Sequence, residues 1–236
     1  MAGSVVNRAC SNGVTANYNG GNNGYLQGEI MPELIEDPIV LNMENMAEYL
    51  DPSAPRDPDM FHVSTLVNEA ARLAGRKKDY YPDSEVTNIM SFGRIAEYIM
   101  RVPVWEECDK TNSTFDMQVI EKNTKENIVG TLDGIIRAKD EPFPRAIVEI
   151  KSKYSNVTSP LDNWRYMAQV MAYLKLAHAT VCWMPILYFP RNEPDVQARL
   201  FKIRFDVSEI DANWNLLLNA RDALIDESIN EREGIV

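Results

Sequence analysis

The chain has 236 residues, of which 45% are hydrophobic and 25% charged, so it is long enough for one well-buried core and short for two independent domains. Its net charge of −11 argues against a general nucleic-acid coat, because non-specific affinity for phosphates depends on clustered Lys and Arg. No stretch approaches the roughly 18 consecutive apolar residues of a membrane span, and the N-terminus lacks the apolar core of a signal peptide. We therefore expect a cytoplasmic protein that binds no membrane.

The cysteines are few and scattered. Cys10, Cys108 and Cys182 are odd in number and far apart, which fits a reducing compartment better than a disulfide framework. Their spacing matches neither a zinc finger nor an iron–sulfur site. Because the chain has only two histidines, zinc is also a poor candidate for any metal site.

The first 60 residues are predicted to be a flexible extension of one folded domain over 61–236. Residues 17–24 are almost all Asn and Gly, and residues 29–59 are acidic and interrupted by prolines. Neither stretch has the apolar periodicity of a packed element. A short helix over 43–50 is the one element that we consider within this extension.

Two helices are predicted at the start of the domain. Ser64 can cap a helix over 64–73, which ends at Gly75. A second cap, at 83 or 84, predicts a helix that extends to about residue 100. Three strands follow, over 115–120, 128–136 and 145–150, and the first two are predicted to pair as an antiparallel hairpin.

The next helix is predicted over 160–178, from the start signal of Ser159, Pro160 and Asp162. One face is an apolar stripe, and another face carries side chains four residues apart. The apolar stripe consists of Leu161, Trp164, Ala168, Met171 and Leu174, and the other face of Arg165, Gln169 and Tyr173.

Strands over 181–189 and 200–205 and a last helix capped by Ser208 complete the chain. The first strand is a continuous apolar run, and the second alternates apolar with basic residues, as near a sheet edge. The helix buries Ile210, Trp214, Leu217, Leu218 and Leu224. Such a sheet flanked by helices is typical of the α/β class.

Two acids and a lysine lie at the ends of apolar strands. Glu149 and Lys151 are two residues apart, so their side chains should project from one face, beside Asp133 on the preceding strand. Magnesium prefers oxygen ligands, usually one or two carboxylates with waters and substrate phosphate. We predict a Mg²⁺ or Mn²⁺ site at Asp133 and Glu149, with the Ile150 carbonyl as a third ligand. Glu97 would reach a second metal or a metal-bound water, or else be a solvated residue.

The order of these residues resembles the PD-(D/E)XK nuclease superfamily, in particular the branch of phage lambda exonuclease, YqaJ-type viral recombinases and the RecB nuclease domain. In that branch a Gly-x-x-x-Glu helix precedes the acids, and a Gln-x-x-x-Tyr helix follows them. The matching positions are Gly93, Glu97, Asp133, Glu149, Ile150, Lys151, Gln169 and Tyr173. Leu132 departs from the motif, where proline is common, but that proline does no chemistry. The resemblance covers about residues 64–226.

The resemblance implies a restriction-endonuclease-like core, with a central mixed β-sheet flanked by helices, and Mg²⁺- or Mn²⁺-dependent cleavage of DNA. It implies metal ligation by Glu97, Asp133 and Glu149, and a catalytic role for Lys151. Gln169 and Tyr173 would organise the site and contact substrate. Further DNA contacts are predicted for Ser64, Arg137, Ser152, Lys153 and Arg165.

The predicted function is a deoxyribonuclease, an exonuclease that acts on duplex DNA ends in phage or mobile-element recombination, in the host cytoplasm if phage-encoded. Lambda-type relatives form rings and work beside a single-strand annealing protein. The resemblance therefore allows a homo-oligomer and a single-strand annealing protein as a partner. The alternatives are an endonuclease of the same fold and a catalytically idle DNA-binding or assembly subunit. Simpler interpretations also exist, in which Asp133 and Gly134 form a turn and Glu149 and Lys151 an exposed pair.

Overall fold

The computed structural model describes six stretches of the chain. They are residues 33–38, 59–76, 83–141, 143–153, 155–190 and 195–233. Most of the predicted extension, including the helix considered over 43–50, lies outside the described residues. Within them, no helix is both long and apolar enough to cross a membrane.

The described residues form eight strands and four α-helices. The strands are β1 Glu33–Pro38, β2 Phe61–His62, β3 Ser113–Asn123, β4 Ile128–Ala138, β5 Pro144–Val148, β6 Lys151–Lys153, β7 Val181–Tyr188 and β8 Gln197–Arg204. The helices are α1 Val63–Leu73, α2 Asp83–Lys110, α3 Trp164–Ala177 and α4 Val207–Glu233.

One mixed sheet contains all of these strands. Its order is β1-β8-β7-β5-β4-β2, with β3 also paired to β4 and β6 also paired to β7. Neighbours β3, β4 and β5 are antiparallel, whereas β5 and β6 are both parallel to β7. Helix α3 supplies the crossover that a parallel connection needs. The predicted class, α/β with a mixed sheet and flanking helices, is confirmed.

The helices pack on the two faces of the sheet, and each face has its own hydrophobic cluster. Residues of α1, α3 and α4 belong to the larger cluster, and residues of α2 belong to the smaller one. Successive strand residues point to opposite faces, so the neighbours Ile135 and Ile136 belong to different clusters. The sheet is therefore buried on both faces around its centre.

Strand β1 lies inside the segment that was predicted as an extension. It pairs antiparallel with β8 over its whole length, from Glu33 opposite Arg204 to Pro38 opposite Arg199. A proline at the end of an outer strand is compatible with the sheet, because its missing N–H need not be part of a ladder. The sheet therefore includes a strand from the segment before residue 61.

Helix α2 extends ten residues beyond its predicted end and contains Pro103. A proline in a helix interior removes one hydrogen bond, so it favours a helix that ends before it. Burial outweighs this cost, because every fourth residue across the proline is part of the smaller cluster. These residues are Ala96, Met100, Val104 and Cys108.

The predicted starts of α1, α3 and α4 are wrong by a few residues. Helix α1 begins after His62, not Ser64, although its end at Gly75, with φ +65°, is as predicted. Ser159 caps only a 3-10 turn over Pro160–Asp162, and the amide of Asn163 then caps α3. At α3 a second polar residue, Asn163, thus competes with Ser159 for the orphan N–H groups, whereas the cap residue of α1, His62, makes no side-chain capping hydrogen bond.

Helix α4 begins one residue before its predicted cap, Ser208. The backbone N–H of Asp206 donates to Glu209 Oε2 at 2.8 Å, which is the returning half of a capping box. The predicted burial of Ile210, Trp214 and Leu217 is confirmed.

Candidate active site

Asp133 lies within β4, between the buried Leu132 and Gly134, and is not part of a turn. Its Oδ2 accepts a hydrogen bond from the backbone N–H of Ile150 at 2.6 Å. This contact ties the acid on β4 to the segment that carries the other predicted site residues. On the neighbouring strand β3, Gln118 lies across from Asp133, between the paired residues Met117 and Val119. Its φ of +48° is uncommon for a residue with a side chain, so the pairing of β3 with β4 is distorted at this point.

Glu149 and Ile150 lie in a break between β5 and β6, so the predicted strand over 145–150 is not continuous. The N–H of Glu149 donates to the carbonyl of Trp183 at 3.1 Å, which keeps the break against β7. Glu149 is 3% exposed, and its Oε1 lies 2.6 Å from Lys151 Nζ. The two side chains therefore lie on one side, as predicted, and also form an ion pair, so the simpler interpretation of an exposed pair is wrong.

Helix α3 contributes a polar chain to the same place. Gln169 Oε1 accepts from Lys151 Nζ at 3.2 Å, and Gln169 Nε2 donates to Tyr173 Oη at 2.9 Å. Tyr173 is 5% exposed, and its ring packs where a Cβ on Gly130 would be. A continuous series of contacts thus runs from Glu149 through Lys151 and Gln169 to Tyr173.

Burial dominates the electrostatics of the site. It raises the pKa of Glu149 to about 8, and it raises the pKa of Asp133 as well. Burial by itself would lower the pKa of Lys151, but the carboxylates of Glu149 and Asp133 outweigh it and hold that pKa above its ordinary value. Lys151 is therefore a cation at neutral pH and can only donate protons in hydrogen bonds.

The carboxylates fit a divalent cation. Glu149 Oε2 is buried and has no hydrogen-bond partner, which is costly for an acid oxygen unless an ion or a donor satisfies it. Asp133 and Glu149 together offer the oxygen ligands that Mg²⁺ prefers. Among the described residues, no group of three His, Cys, Asp or Glu side chains is close enough to enclose an ion. A metal here would complete its coordination with other oxygens, as magnesium does with waters and phosphates.

Helix α2 presents two charged residues to the acids. Glu97 is half-buried, and its charge contributes to the raised pKa of Glu149. Arg101, one turn further on, is 6% exposed, and its charge opposes the rise that burial causes in the pKa of Asp133. The sequence analysis missed Arg101, although its spacing of four residues from Glu97 could have indicated a shared helix face.

The predicted DNA contacts fall in different places. Ser152 and Lys153 follow Lys151 directly on β6, and Arg165 is in the first turn of α3. Ser64 is in the first turn of α1. Arg137 is near the end of β4, beyond a register shift, and forms an ion pair with Asp116 at 3.2 Å. Their roles stay predictions.

Tyr166 is a second residue that the sequence analysis did not single out. Lys151 Nζ lies 5.1 Å from the centroid of its ring, and Lys153 Nζ lies 5.7 Å from the same centroid. These are cation–π distances. Tyr166 precedes Gln169 by three residues on α3, and this spacing was the available signal.

The mixed α/β fold has distant structural neighbours among nucleases. An alkaline exonuclease (LHK-Exo) from Laribacter hongkongensis matches with a TM-score of 0.46 and 16% identity, over 75% of this chain and 95% of that one. A phage related exonuclease from Haemophilus somnus 129PT matches with a TM-score of 0.40 and 15% identity, over 72% and 83%. No protein-family model and no curated protein matches the chain.

Without metal, the stability of the protein is expected to fall as the pH rises from about 5 to about 8. Folded Glu149 keeps its proton up to a pKa of about 8, whereas the unfolded carboxyl loses it near its ordinary value of 4.5. The folded state therefore binds more protons in this range, and deprotonation favours unfolding. Thermal melting in EDTA across this range should show the fall in the wild type and a weaker one in Glu149→Gln. Parallel curves for the two proteins would contradict the assignment.

Proposed function

We propose that this chain is a metal-dependent deoxyribonuclease that hydrolyses DNA phosphodiester bonds. The observation that carries the proposal is the position of Lys151 Nζ, between Glu149 Oε1 at 2.6 Å and Gln169 Oε1 at 3.2 Å. Asp133 is fixed beside them by the N–H of Ile150. Residues from β4, β6 and α3 thus converge, which none of the simpler interpretations requires.

The chemistry of phosphodiester hydrolysis suits this set of groups. A phosphodiester resists attack because its negative charge repels nucleophiles and its leaving oxygen departs poorly. A divalent cation, when bound, lowers the pKa of a coordinated water and neutralises charge on the phosphate. Asp133 and Glu149 would hold that cation, with the Ile150 carbonyl as the predicted third ligand, and Glu97 would reach a second metal or a metal-bound water.

Lys151 would act as a fixed hydrogen-bond donor. Its raised pKa keeps it protonated, so it is suited to orienting a water or binding a phosphate oxygen and unsuited to removing a proton. Gln169 limits where the ammonium group can lie, and the hydrogen bond to Tyr173 fixes the orientation of the amide. A preorganised donor of this kind stabilises developing charge without reorganisation.

The mode of cleavage is proposed from the sequence resemblance. In that branch of the superfamily an exonuclease acts on duplex DNA ends, in phage or mobile-element recombination, with Mg²⁺ or Mn²⁺ as cofactor. A single-strand annealing protein and further copies of the chain are the partners that this proposal allows.

The test uses linear and closed-circular duplex DNA, with Mg²⁺, with Mn²⁺ and with EDTA. The wild type should degrade the linear DNA only when metal is present, and Lys151→Ala should lose about a hundredfold or more in rate, because a positioned charged donor is removed. Lys125→Ala, which changes an exposed lysine in the turn after β3, is the matched control and should cleave like the wild type.

Each outcome separates the alternatives. If neither DNA is cleaved with either metal, the chain is not a nuclease, and binding without cleavage would support the idle subunit. Cleavage of the closed circle would exclude an exclusively exonucleolytic mode and favour the endonuclease. An undiminished rate in Lys151→Ala would remove this lysine from the chemistry.

A further inference from the structure

Lys153 differs from the other half-buried lysines of the described residues. Lys151 pairs with Glu149, Lys175 with Asp211 at 2.6 Å, and Lys202 with Glu107 at 3.0 Å. No carboxylate in the described part of the chain lies within ion-pair distance of Lys153, although Asp162 acts on it at longer range. Burial lowers its pKa from the ordinary value. A positioned lysine whose ammonium group contacts no anion and is accessible to solvent suggests a site where an anion binds.

The ammonium group of Lys153 is nevertheless held in place. It donates to Thr158 Oγ1 at 3.1 Å and lies over the ring of Tyr166. Thr158 is itself fixed, because the hydroxyl of the fully buried Tyr188 donates to its carbonyl at 2.6 Å. The carbonyl of Lys153 accepts from the N–H of Phe189 at 2.8 Å. Both recorded partners of the ammonium group are neutral, so its charge is positioned without being cancelled.

The position relative to Lys151 indicates which anion would bind. The two lysines are two residues apart on β6, or roughly 6 to 7 Å along a strand, and both ammonium groups lie over the same ring of Tyr166. This separation is similar to that of successive phosphates along a nucleic-acid strand. A strand with one phosphate at Lys151 would bring the next within reach of Lys153.

We propose that Lys153, Thr158 and Tyr166 form a subsite for the backbone phosphate next to the scissile one, on the strand that is cleaved. The proposal rests on the proposed function, because it takes Lys151 as the position of the scissile phosphate. Lys153 binds the phosphate, and Thr158 orients the ammonium group of Lys153. Tyr166 is a positioning residue, because its ring contacts the ammonium groups of both Lys151 and Lys153. Since it contacts backbone only, the subsite sets the register of the strand and not its base sequence.

The first experiment compares Lys153→Met with the wild type on a short duplex at several salt concentrations. We expect a KM about tenfold higher with a nearly unchanged kcat, because a charge-assisted contact of uniform binding is lost. The dependence of log KM on log salt should become shallower by about one, since one phosphate contact is removed. Lys125→Met makes the same change of charge in an exposed turn and should leave KM and its salt dependence unaltered.

The second experiment identifies the phosphate. Duplexes that carry a single uncharged methylphosphonate at successive positions are compared in both proteins. In the wild type, the substitution next to the cleaved bond should raise KM about tenfold, and in Lys153→Met it should have no further effect. Tyr166→Leu should also raise KM, and Tyr166→Phe, which keeps the ring face, should restore it.

The failures are distinguishable. If the wild type cleaves DNA with metal and Lys153→Met has the same KM and salt dependence, the subsite is overturned and the nuclease stands. If both proteins lose affinity at the same methylphosphonate, Lys153 does not contact that phosphate, which also overturns the subsite. If the wild type does not cleave DNA at all, the proposed function fails and the subsite fails with it.

Discussion

Asp133→Asn is expected to reduce metal-dependent DNA cleavage by at least about a thousandfold, or about 4 kcal/mol of transition-state stabilisation, while the protein stays folded. Asparagine removes the negative charge that a divalent cation requires. It keeps an oxygen that can accept the hydrogen bond from the N–H of Ile150, at 2.6 Å in the wild type. The loss should therefore be in the chemistry and not in the fold. Rates of release of acid-soluble nucleotides, with thermal melting beside them, measure both.

Glu149→Gln should behave in the same way, because its amide oxygen can still accept from Lys151 Nζ. Asp140→Asn, at an exposed turn after β4, is the matched control and should cleave DNA at the wild-type rate. Undiminished cleavage by Asp133→Asn or Glu149→Gln, with melting like that of the wild type, would show that these acids hold no catalytic metal. Loss of folding in both would assign them a structural role instead.

Gly134→Ala is expected to destabilise the protein by about 3 kcal/mol, which is roughly 10 °C in Tm for a domain of this size. A Cβ at this position would overlap the ring of Phe115 and lie 2.8 Å from the carbonyl oxygen of Asp116. The ring has little freedom to move away, because it packs edge-on against Trp105 with centroids 5.8 Å apart. The backbone of β3 at Asp116 cannot move away without breaking the hydrogen bonds between β3 and β4.

Two further variants test this explanation. Gly75→Ala meets no atom within 4 Å and has only the strain of φ +65°, so it should cost about 1 kcal/mol. Phe115→Leu combined with Gly134→Ala should recover part of the lost stability, since it shortens the side chain in the way. A Gly134→Ala protein that melts like the wild type would mean that β3 and β4 are further apart than described.

Most elements were predictable because they depend on local patterns. The apolar strands, the polar turn after β3 and the C-terminal glycine of α1 are each encoded within a few residues, and the structure confirms them. The end of α2 was not predictable, because Pro103 signals a break and only burial of Val104 and Cys108 beyond it keeps the helix intact. The starts of α1, α3 and α4 were missed by small margins, whereas α2 begins at Asp83, one of the two predicted capping positions.

The features of the candidate site likewise divide into those that local spacing predicted and those that it did not. The spacing of Glu149 and Lys151 predicted that their side chains project from one face, and the spacing of Gln169 and Tyr173 predicted a shared helix face. The structure records both contacts, at 2.6 Å and 2.9 Å. Arg101 and Tyr166 were missed although their spacing from Glu97 and Gln169 indicates shared helix faces, because spacing alone does not show what lies opposite such a face.

The sequence by itself determined which chemical groups the protein has and in which order they follow, since spacing along a strand or helix fixes neighbouring side chains. Only the tertiary structure decided that Asp133 of β4 accepts from the N–H of Ile150, and that Lys151 of β6 lies within hydrogen-bond distance of Glu149 and of Gln169 on α3. It also decided that Glu149 is buried with one oxygen unsatisfied, and that Lys153 has neutral partners. Burial and charge pairing depend on segments distant in sequence, so no local pattern could predict them.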